Sequence, residues 1–201
     1  MDMDKRKGNT NIEEKGRGKQ QKKFINTTDM VFIGLMVAVL CVLGPVSFVL
    51  PFSPVPISLT SLVVNFGAYI LGAKRGCITC VVYLLIGFVG LPVFSGFMGG
   101  AAKLFGPTGG YLIGYIFMAM CSGFFVERWK EKKQFHIIGM VLGTVVCYGI
   151  GTFWLSFQTN MNFHAVFFAG VVPFLPGDVA KIAIVLSAGP KIRKRINRLK
   201  V

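Results

Sequence analysis

The sequence predicts an all-α, polytopic membrane protein, and both its composition and its charge distribution support this prediction. Of the 201 residues, 53% are hydrophobic and 15% are charged, whereas a soluble domain carries about 25% charged residues. Residues 30–73 and 134–177 contain no charged side chain. Each run is longer than the roughly 20 apolar residues that cross a bilayer core. These observations exclude an ordinary soluble enzyme, a disordered chain and an outer-membrane β-barrel.

Six helical spans are the most economical division of the apolar sequence. The sixth is expected to start between Ala165 and Pro176 and to end near Gly189. Residues 29–195 are therefore predicted to form a six-helix membrane domain, followed by a basic C-terminal end at residues 196–201. The first five spans are expected at Met30–Leu50, Ile57–Ala73, Gly76–Phe94, Thr108–Val126 and Ile137–Phe157.

The first 28 residues are polar, mixed in charge and poor in apolar side chains, which predicts a disordered basic tail. The apolar run that follows is too long for the core of a signal peptide and lacks a small-residue cleavage site, so we interpret it as an uncleaved first span. The basic residues of the tail can meet anionic membrane lipid or serve only to set the topology.

The distribution of basic residues predicts the orientation of the spans. With six spans, 20 of the 22 Lys and Arg residues fall on one side of the membrane, Lys103 falls alone on the other, and Lys181 lies within the membrane. Basic residues collect at the cytoplasmic ends of membrane helices. Both termini are therefore predicted to be cytoplasmic. The same bias explains the net charge of +14 without a nucleic-acid partner.

The sequence contains no motif typical of ATP hydrolysis or of hydrolytic catalysis. It lacks G-x4-G-K-[ST], H-E-x-x-H and G-x-S-x-G. Cys77-x-x-Cys80 has no second cysteine pair and falls in a predicted span, which favours packed thiols over a metal site. We therefore predict a protein that is not an enzyme and that holds neither a cofactor nor a metal.

Asp178 and Lys181 are the most informative charged residues. A charge at the centre of a membrane helix costs about 2.5–3.5 kcal/mol, so such residues usually face a polar interior and serve function. Residues i and i+3 share a helix face, so the two side chains can pair. A helix that starts near Pro176 places Asp178 in its first turn and both charges in the outer half of the membrane. A pair that only locks the span to its neighbours is the alternative.

The outer connections predict a cavity above this pair. Residues 51–56 read PFSPVP and residues 91–107 read LPVFSGFMGGAAKLFGP, with one charge between them. Gly- and Pro-rich apolar backbone suits a loop that folds back on helices and lines a cavity, although a flexible loop resting on lipid headgroups is the alternative. A cavity with one anion, one cation and much hydrocarbon suits a small ligand that has an apolar body and polar ends.

Four segments together carry a resemblance to a known family. They read SPVPISLTSLVVNFGAYILGAKRG at residues 53–76, YLLIGFVGLPVFSG at 83–96, GPTGGYLIGY at 106–115 and PFLPGDVAK at 173–181. In this order and spacing they resemble the BioY family, the biotin-specific substrate-capture (S) components of energy-coupling factor (ECF) transporters. The resemblance implies biotin capture from outside at the plasma (inner) membrane of a prokaryote. It also implies partners, a transmembrane coupling protein and two ATP-binding-cassette (ABC) ATPases.

The resemblance further implies that Asp178 and Lys181 contact biotin. The ureido ring can donate to Asp178 and accept from Lys181, or the valerate can meet Lys181 instead. Further candidates for the lining of the site are the polar Thr60, Asn65, Ser95 and Tyr111 and the apolar Phe97, Phe174 and Leu91.

Two features bear on how far the resemblance extends. The family usually reads PVPITLQTL, whereas Ser58 and Thr60 stand here in place of Thr and Gln. The family meets its coupling protein through an A-x3-A pattern on the first helix, and Gly34-x3-Ala38 is the nearest match here. Two other functions stay open, a solitary carrier of biotin or another small vitamin that uses no ATP, and a membrane scaffold or enzyme.

Overall fold

The structure, a computed structural model, describes residues 27–48, 51, 55–129 and 132–199. This part of the chain is mainly helical and contains one short hairpin. Its elements in chain order are α1 (Thr27–Leu43), β1 (Ser47–Phe48), β2 (Ile57–Ser58), α2 (Thr60–Leu71), α3 (Ala73–Phe88), α4 (Ala101–Leu104), α5 (Gly109–Arg128), α6 (Lys133–Thr159), α7 (Phe163–Gly170), a 3₁₀ turn (Val172–Phe174) and α8 (Leu175–Leu199).

Three helical segments of the described chain are long and apolar enough to cross a membrane, namely Gly109–Arg128, Lys133–Thr159 and Phe163–Ile196. Thr27–Leu43 and Thr60–Leu71 are shorter apolar helices. At 1.5 Å per residue, the 12 residues of α2 extend about 18 Å, less than the roughly 30 Å of a bilayer core. The chain is an all-α membrane protein, and the six-span count stays a prediction.

The predicted first span is wrong at its outer end, because α1 stops at Leu43 rather than at Leu50. Pro45 has no backbone N–H to continue a helix. Beyond it, Ser47 pairs with Ser58 and Phe48 pairs with Ile57 in an antiparallel hairpin, so the second span starts at Thr60 rather than at Ile57. This hairpin returns the chain across the outer end of the bundle.

The sixth span also differs from the prediction, because α8 continues through Pro190 to Leu199 instead of ending near Gly189. Gly189 serves packing rather than termination, since a Cβ there would lie 2.7 Å from Cδ1 of Tyr69. Beyond Pro190, Arg193 donates to the Val126 carbonyl at 3.3 Å, which ties the extra turns to the end of α5. The predicted division at residue 195 therefore falls inside this helix.

The N-terminal tail lies outside the described residues except for Thr27 and Thr28, which begin α1 and are helical rather than disordered. Lys200 and Val201 of the predicted C-terminal end are also outside them.

Glycine allows α5 and α6 to approach closely at two points. A Cβ at Gly114 of α5 would lie 2.8 Å from the Cys147 sulfur, and one at Gly143 of α6 would lie 2.9 Å from the Met118 carbonyl oxygen. The α5–α6 packing therefore depends on the small residues that the sequence spaces four apart. Gly72, with φ of 87°, forms the one-residue turn between α2 and α3.

The outer loop after α3 folds back on the bundle, as the sequence predicts. Phe94 is fully buried, and its ring meets Tyr83 edge to face at 5.5 Å between centroids. The Tyr83 hydroxyl donates to the Val93 carbonyl at 2.8 Å. Packing against the bundle thus buries Val93 and Phe94, whereas Phe97 and Met98 of the same loop are more than half exposed.

Candidate functional site

The site is organised around Asp178, which lies in the first turn of α8. Pro176 fits this turn because a helix leaves its first N–H groups unpaired in any case. The partial positive charge of the helix N-terminus favours a carboxylate at this position. Asp178 is nonetheless buried. Its negative charge therefore requires partners from the surrounding side chains.

Two side chains supply those partners. Lys181, one turn further along α8, places Nζ 3.3 Å from Oδ1 of Asp178, and both side chains are about nine-tenths buried. The hydroxyl of Tyr148, on α6, donates to Oδ2. Each carboxylate oxygen thus has its own donor, one charged and one neutral.

Lys181 also connects α8 to α2. Its Nζ donates to Oγ of Ser61 at 2.9 Å, in addition to the contact with Asp178. The charged pair is therefore held by groups from α2, α6 and α8. Two ammonium hydrogens are directed at protein oxygens, and the carboxylate accepts from two donors. This is the satisfied arrangement that a buried ion pair needs in order to be tolerated.

A narrow pocket of about 30 Å³ adjoins the pair, and Lys181 is part of its lining. Its lining includes hydroxyl groups and aromatic rings contributed by β2, α2, α5, α6 and the 3₁₀ turn. The main contributors are Ser58, Ser61, Tyr111, Tyr115, Tyr148 and Phe174. This lining combines oriented polar groups with apolar surface, which is what a small amphipathic ligand requires.

Of the candidates named from the sequence, Tyr111, Phe174 and Lys181 line this pocket. Asp178 is not part of the lining, but it is bonded to two residues that are, Tyr148 and Lys181. Tyr111 is held from behind, because its hydroxyl lies 3.5 Å from the Thr152 hydroxyl and 3.5 Å from the Gly170 carbonyl oxygen. The four candidates come from α5, the 3₁₀ turn and α8, so the fold brings together parts of the chain that are far apart in sequence.

The remaining candidates lie outside the lining of this pocket. Asn65 is buried in the core, where its Oδ1 accepts from the Ser122 hydroxyl at 2.8 Å. Thr60 is also buried, next to the Ser61 that does reach Lys181. In the loop after α3, Ser95 is half-buried, and Leu91 and Phe97 are 53% and 71% exposed. The prediction that residues 91–107 line a cavity beside the pair is wrong for this pocket, because none of them is part of its lining.

Sequence reasoning missed Tyr148 and Ser61. A tyrosine in the middle of an apolar span is a usable signal, because its buried hydroxyl must find a hydrogen-bond partner. For Ser61 the sequence offers no signal that distinguishes it from Thr60, since the choice depends on the rotation of α2 relative to α8.

The small residues proposed for partner docking lie on the outer surface of α1. Gly34 and Ala38 are exposed, and no atom of the described chain would lie within 4 Å of a Cβ at Gly34. Val31, Leu35 and Val42 on the same helix are also more than half exposed. This face of α1 is apolar, and the side chains at its centre are small.

Comparison with known proteins gives consistent matches. The family model of BioY matches residues 17–198. The biotin transporter BioY of Rhizobium etli is 37% identical over 176 residues, which cover 82% of this chain and 92% of the relative. The biotin transporter BioY of Thermotoga maritima is 37% identical over 145 residues, covering 72% and 85%. A crystal structure of the S-component for biotin from an ECF-type ABC transporter is 31% identical, with a TM-score of 0.77, covering 83% of this chain and 90% of that one.

Proposed function

Because the chain belongs to the BioY family, we propose that it binds biotin as the S component of an ECF-type transporter in the plasma membrane of a prokaryote. The observation that carries this proposal is the buried Asp178–Lys181 pair beside a pocket lined by hydroxyls and aromatic rings. The chain is a transport protein rather than an enzyme, in line with the function for which its relatives are named.

The charges of the pair match the polar groups of biotin. The ureido ring has two N–H donors and one carbonyl acceptor, which complement a carboxylate and an ammonium group that lie 3.3 Å apart. The valerate carboxylate could alternatively meet Lys181. The aromatic rings of Tyr111 and Phe174 offer apolar surface for the thiophane ring and the alkyl chain.

Isothermal titration of the purified protein with biotin tests the proposal. We expect binding far tighter than about 1 mM, which corresponds to about −4.1 kcal/mol. Asp178→Asn keeps the shape of the side chain but removes its charge, and it should weaken binding. Biotin binding no tighter than millimolar in the wild-type protein would count against the function itself. Unchanged affinity in Asp178→Asn would remove Asp178 from the site.

Transport should require partners. A transmembrane coupling protein and two ABC ATPases would supply the energy, because the chain itself has no phosphate-binding loop. The exposed small-residue face of α1 around Gly34 and Ala38 is the surface through which the coupling protein would dock.

Uptake of labelled biotin in cells with and without the coupling protein and ATPases tests this arrangement. Gly34→Leu should abolish energised uptake and leave biotin binding intact, because Gly34 is remote from the pocket lining. Val42→Leu, which changes another exposed α1 residue conservatively, serves as the control. Uptake that persists without the partners and depends on the proton gradient would instead favour a solitary carrier.

A further inference from the structure

Tyr148 separates two spaces of very different size. On one side lies the narrow pocket of about 30 Å³ beside Asp178. On the other lies an apolar groove of about 350 Å³ between α6, α7 and the start of α8, lined in part by Val145, Gly149, Phe163 and Phe167. Among the residues of the described chain that line either space, Tyr148 is the one they share.

The narrow pocket is too small for the proposed ligand while Tyr148 occupies its observed position. Its volume of about 30 Å³ is roughly a tenth or less of the about 300–1,000 Å³ that ligand pockets measure. One wall must therefore move for a bicyclic ligand to enter.

Tyr148 is the wall with the freedom to move. Tyr111 is fixed by close packing, because a Cβ at Gly151 would lie 2.3 Å from its ring and one at Gly170 would lie 2.7 Å from its hydroxyl oxygen. The Tyr148 ring is only half-buried, and its centroid is 6.3 Å from those of both Tyr111 and Phe174. Behind it the groove offers ample room for a phenol ring.

We propose that Tyr148 is the movable wall of the ligand site. Its ring swings into the apolar groove and joins the two spaces, and its hydrogen bond to Asp178 holds the wall in the closed position. An incoming ligand N–H replaces the phenol hydroxyl as the donor to Oδ2, so that the carboxylate keeps two donors throughout. This inference rests on the proposed function for the identity of the ligand, but the motion itself can be tested without it.

Cys147 reports the motion independently of any ligand, because it is buried and lines the narrow pocket. In a background where the other four cysteines are replaced by Ala, the rate of Cys147 alkylation by N-ethylmaleimide measures how often the pocket opens. Tyr148→Phe removes the hydrogen bond that closes the wall and should speed alkylation about tenfold.

Gly149→Leu should slow the same reaction at least about fivefold, because it fills the groove and shifts the population toward the closed position. A Cβ at Gly149 meets no atom within 4 Å, so the added side chain enters open space. Val145→Phe fills the groove from another position in case the leucine variant does not fold. Ala165→Leu adds the same bulk to an exposed residue of α7 outside the groove lining and should change nothing.

The association rate of biotin, measured by stopped flow, should follow the same order, faster in Tyr148→Phe and slower in Gly149→Leu. Equal alkylation rates in all variants would overturn the movable wall even if biotin binds well. Graded alkylation rates in a protein that does not bind biotin would overturn the proposed function and retain the wall.

Discussion

Two ion pairs, each containing a buried aspartate, lie in different regions of the described chain. Asp29 lies in the first turn of α1, as Asp178 lies in the first turn of α8. Asp29 pairs across helices with Arg75 of α3 at 2.7 Å, and the Arg75 side chain is 38% exposed. Asp178 pairs within its own helix, and the Lys181 side chain is only 11% exposed.

A buried carboxylate at a helix start thus occurs twice in the described chain, and only one of the two belongs to the site proposed above. Arg75 joins α3 to α1, and its side chain is partly exposed. We therefore expect this pair to hold the two helices together. Lys181 instead lines a pocket, and its partner Asp178 also accepts from Tyr148. The pocket beside Lys181, rather than the charge pair itself, is the feature on which the proposed ligand site rests.

The largest expected effect is on ligand binding at the Asp178 pair. Lys181→Ala removes a cation from the pocket and leaves the Asp178 carboxylate with the Tyr148 hydroxyl as its remaining donor. Truncating one member of a buried charge pair costs about 2–5 kcal/mol, so biotin affinity should fall about 30-fold or more in titration calorimetry. Lys191→Ala, an exposed change on the same helix, should leave affinity as it is. Equal biotin affinity in the two variants would mean that Lys181, like Arg75, does not contribute to ligand binding.

Arg75→Ala should show the opposite pattern. We expect a loss of about 1–2 kcal/mol of stability, less than for a fully buried pair because Arg75 is partly exposed. Thermal unfolding in detergent should register this loss, while the folded fraction should bind biotin with wild-type affinity. An affinity loss as large as that of Lys181→Ala would contradict the division between the two pairs.

A smaller effect is expected from Ser61→Ala, which removes the oxygen that accepts from Lys181 at 2.9 Å. A hydrogen bond to a charged group contributes about 1.5–3 kcal/mol, but the ammonium group keeps Asp178, so we expect about a tenfold loss of biotin affinity, at the low end of this range. Ser187→Ala, at an exposed position on α8, is the matched control. No change in titration calorimetry would mean that Ser61 does not orient Lys181 for the ligand.

The smallest difference should appear with salt. Raising ionic strength from about 0.1 to 1 M shortens the Debye length from about 10 to 3 Å, which weakens partly exposed pairs more than buried ones. The stability difference between wild type and Arg75→Ala should therefore shrink by a few tenths of a kcal/mol. The affinity ratio between wild type and Lys181→Ala should stay constant over the same range, and a ratio that fell with salt would indicate solvent access to Lys181.

The sequence predicts the centre of the site better than its periphery. Asp178 and Lys181 are one turn apart on one helix, so their contact follows from local geometry, and Pro176 predicts where that helix begins. Asn65 and Ser61 show the limit. Both are polar residues of α2, yet one pairs with Ser122 in the core and the other with Lys181, which only the packing of neighbouring helices decides.

Two of the three Gly-Pro steps in the sequence show the same limit for helix boundaries. Gly44-Pro45 ends α1, whereas Gly189-Pro190 lies within α8. At Pro45 the backbone leaves the helical hydrogen-bond pattern, because the Pro45 carbonyl accepts from the Gly96 N–H of the loop after α3 at 3.1 Å. Beyond Pro190, a run of Ile, Lys and Arg favours continued helix despite the lost hydrogen bond. The dipeptide is the same in both places, so the contacts of the neighbouring residues determine whether the helix ends there.

The placement of both charges on one turn of α8 has a consequence for biogenesis. A lone carboxylate or ammonium group would need a partner on another segment to lower the free-energy cost of its transfer from water into lipid. Here the counter-charge arrives with the same helix and lies 3.3 Å away. Residues 163–190, in which Asp178 and Lys181 are the only Asp, Glu, Lys or Arg side chains, can therefore partition into lipid without net charge, before the rest of the protein has assembled around them.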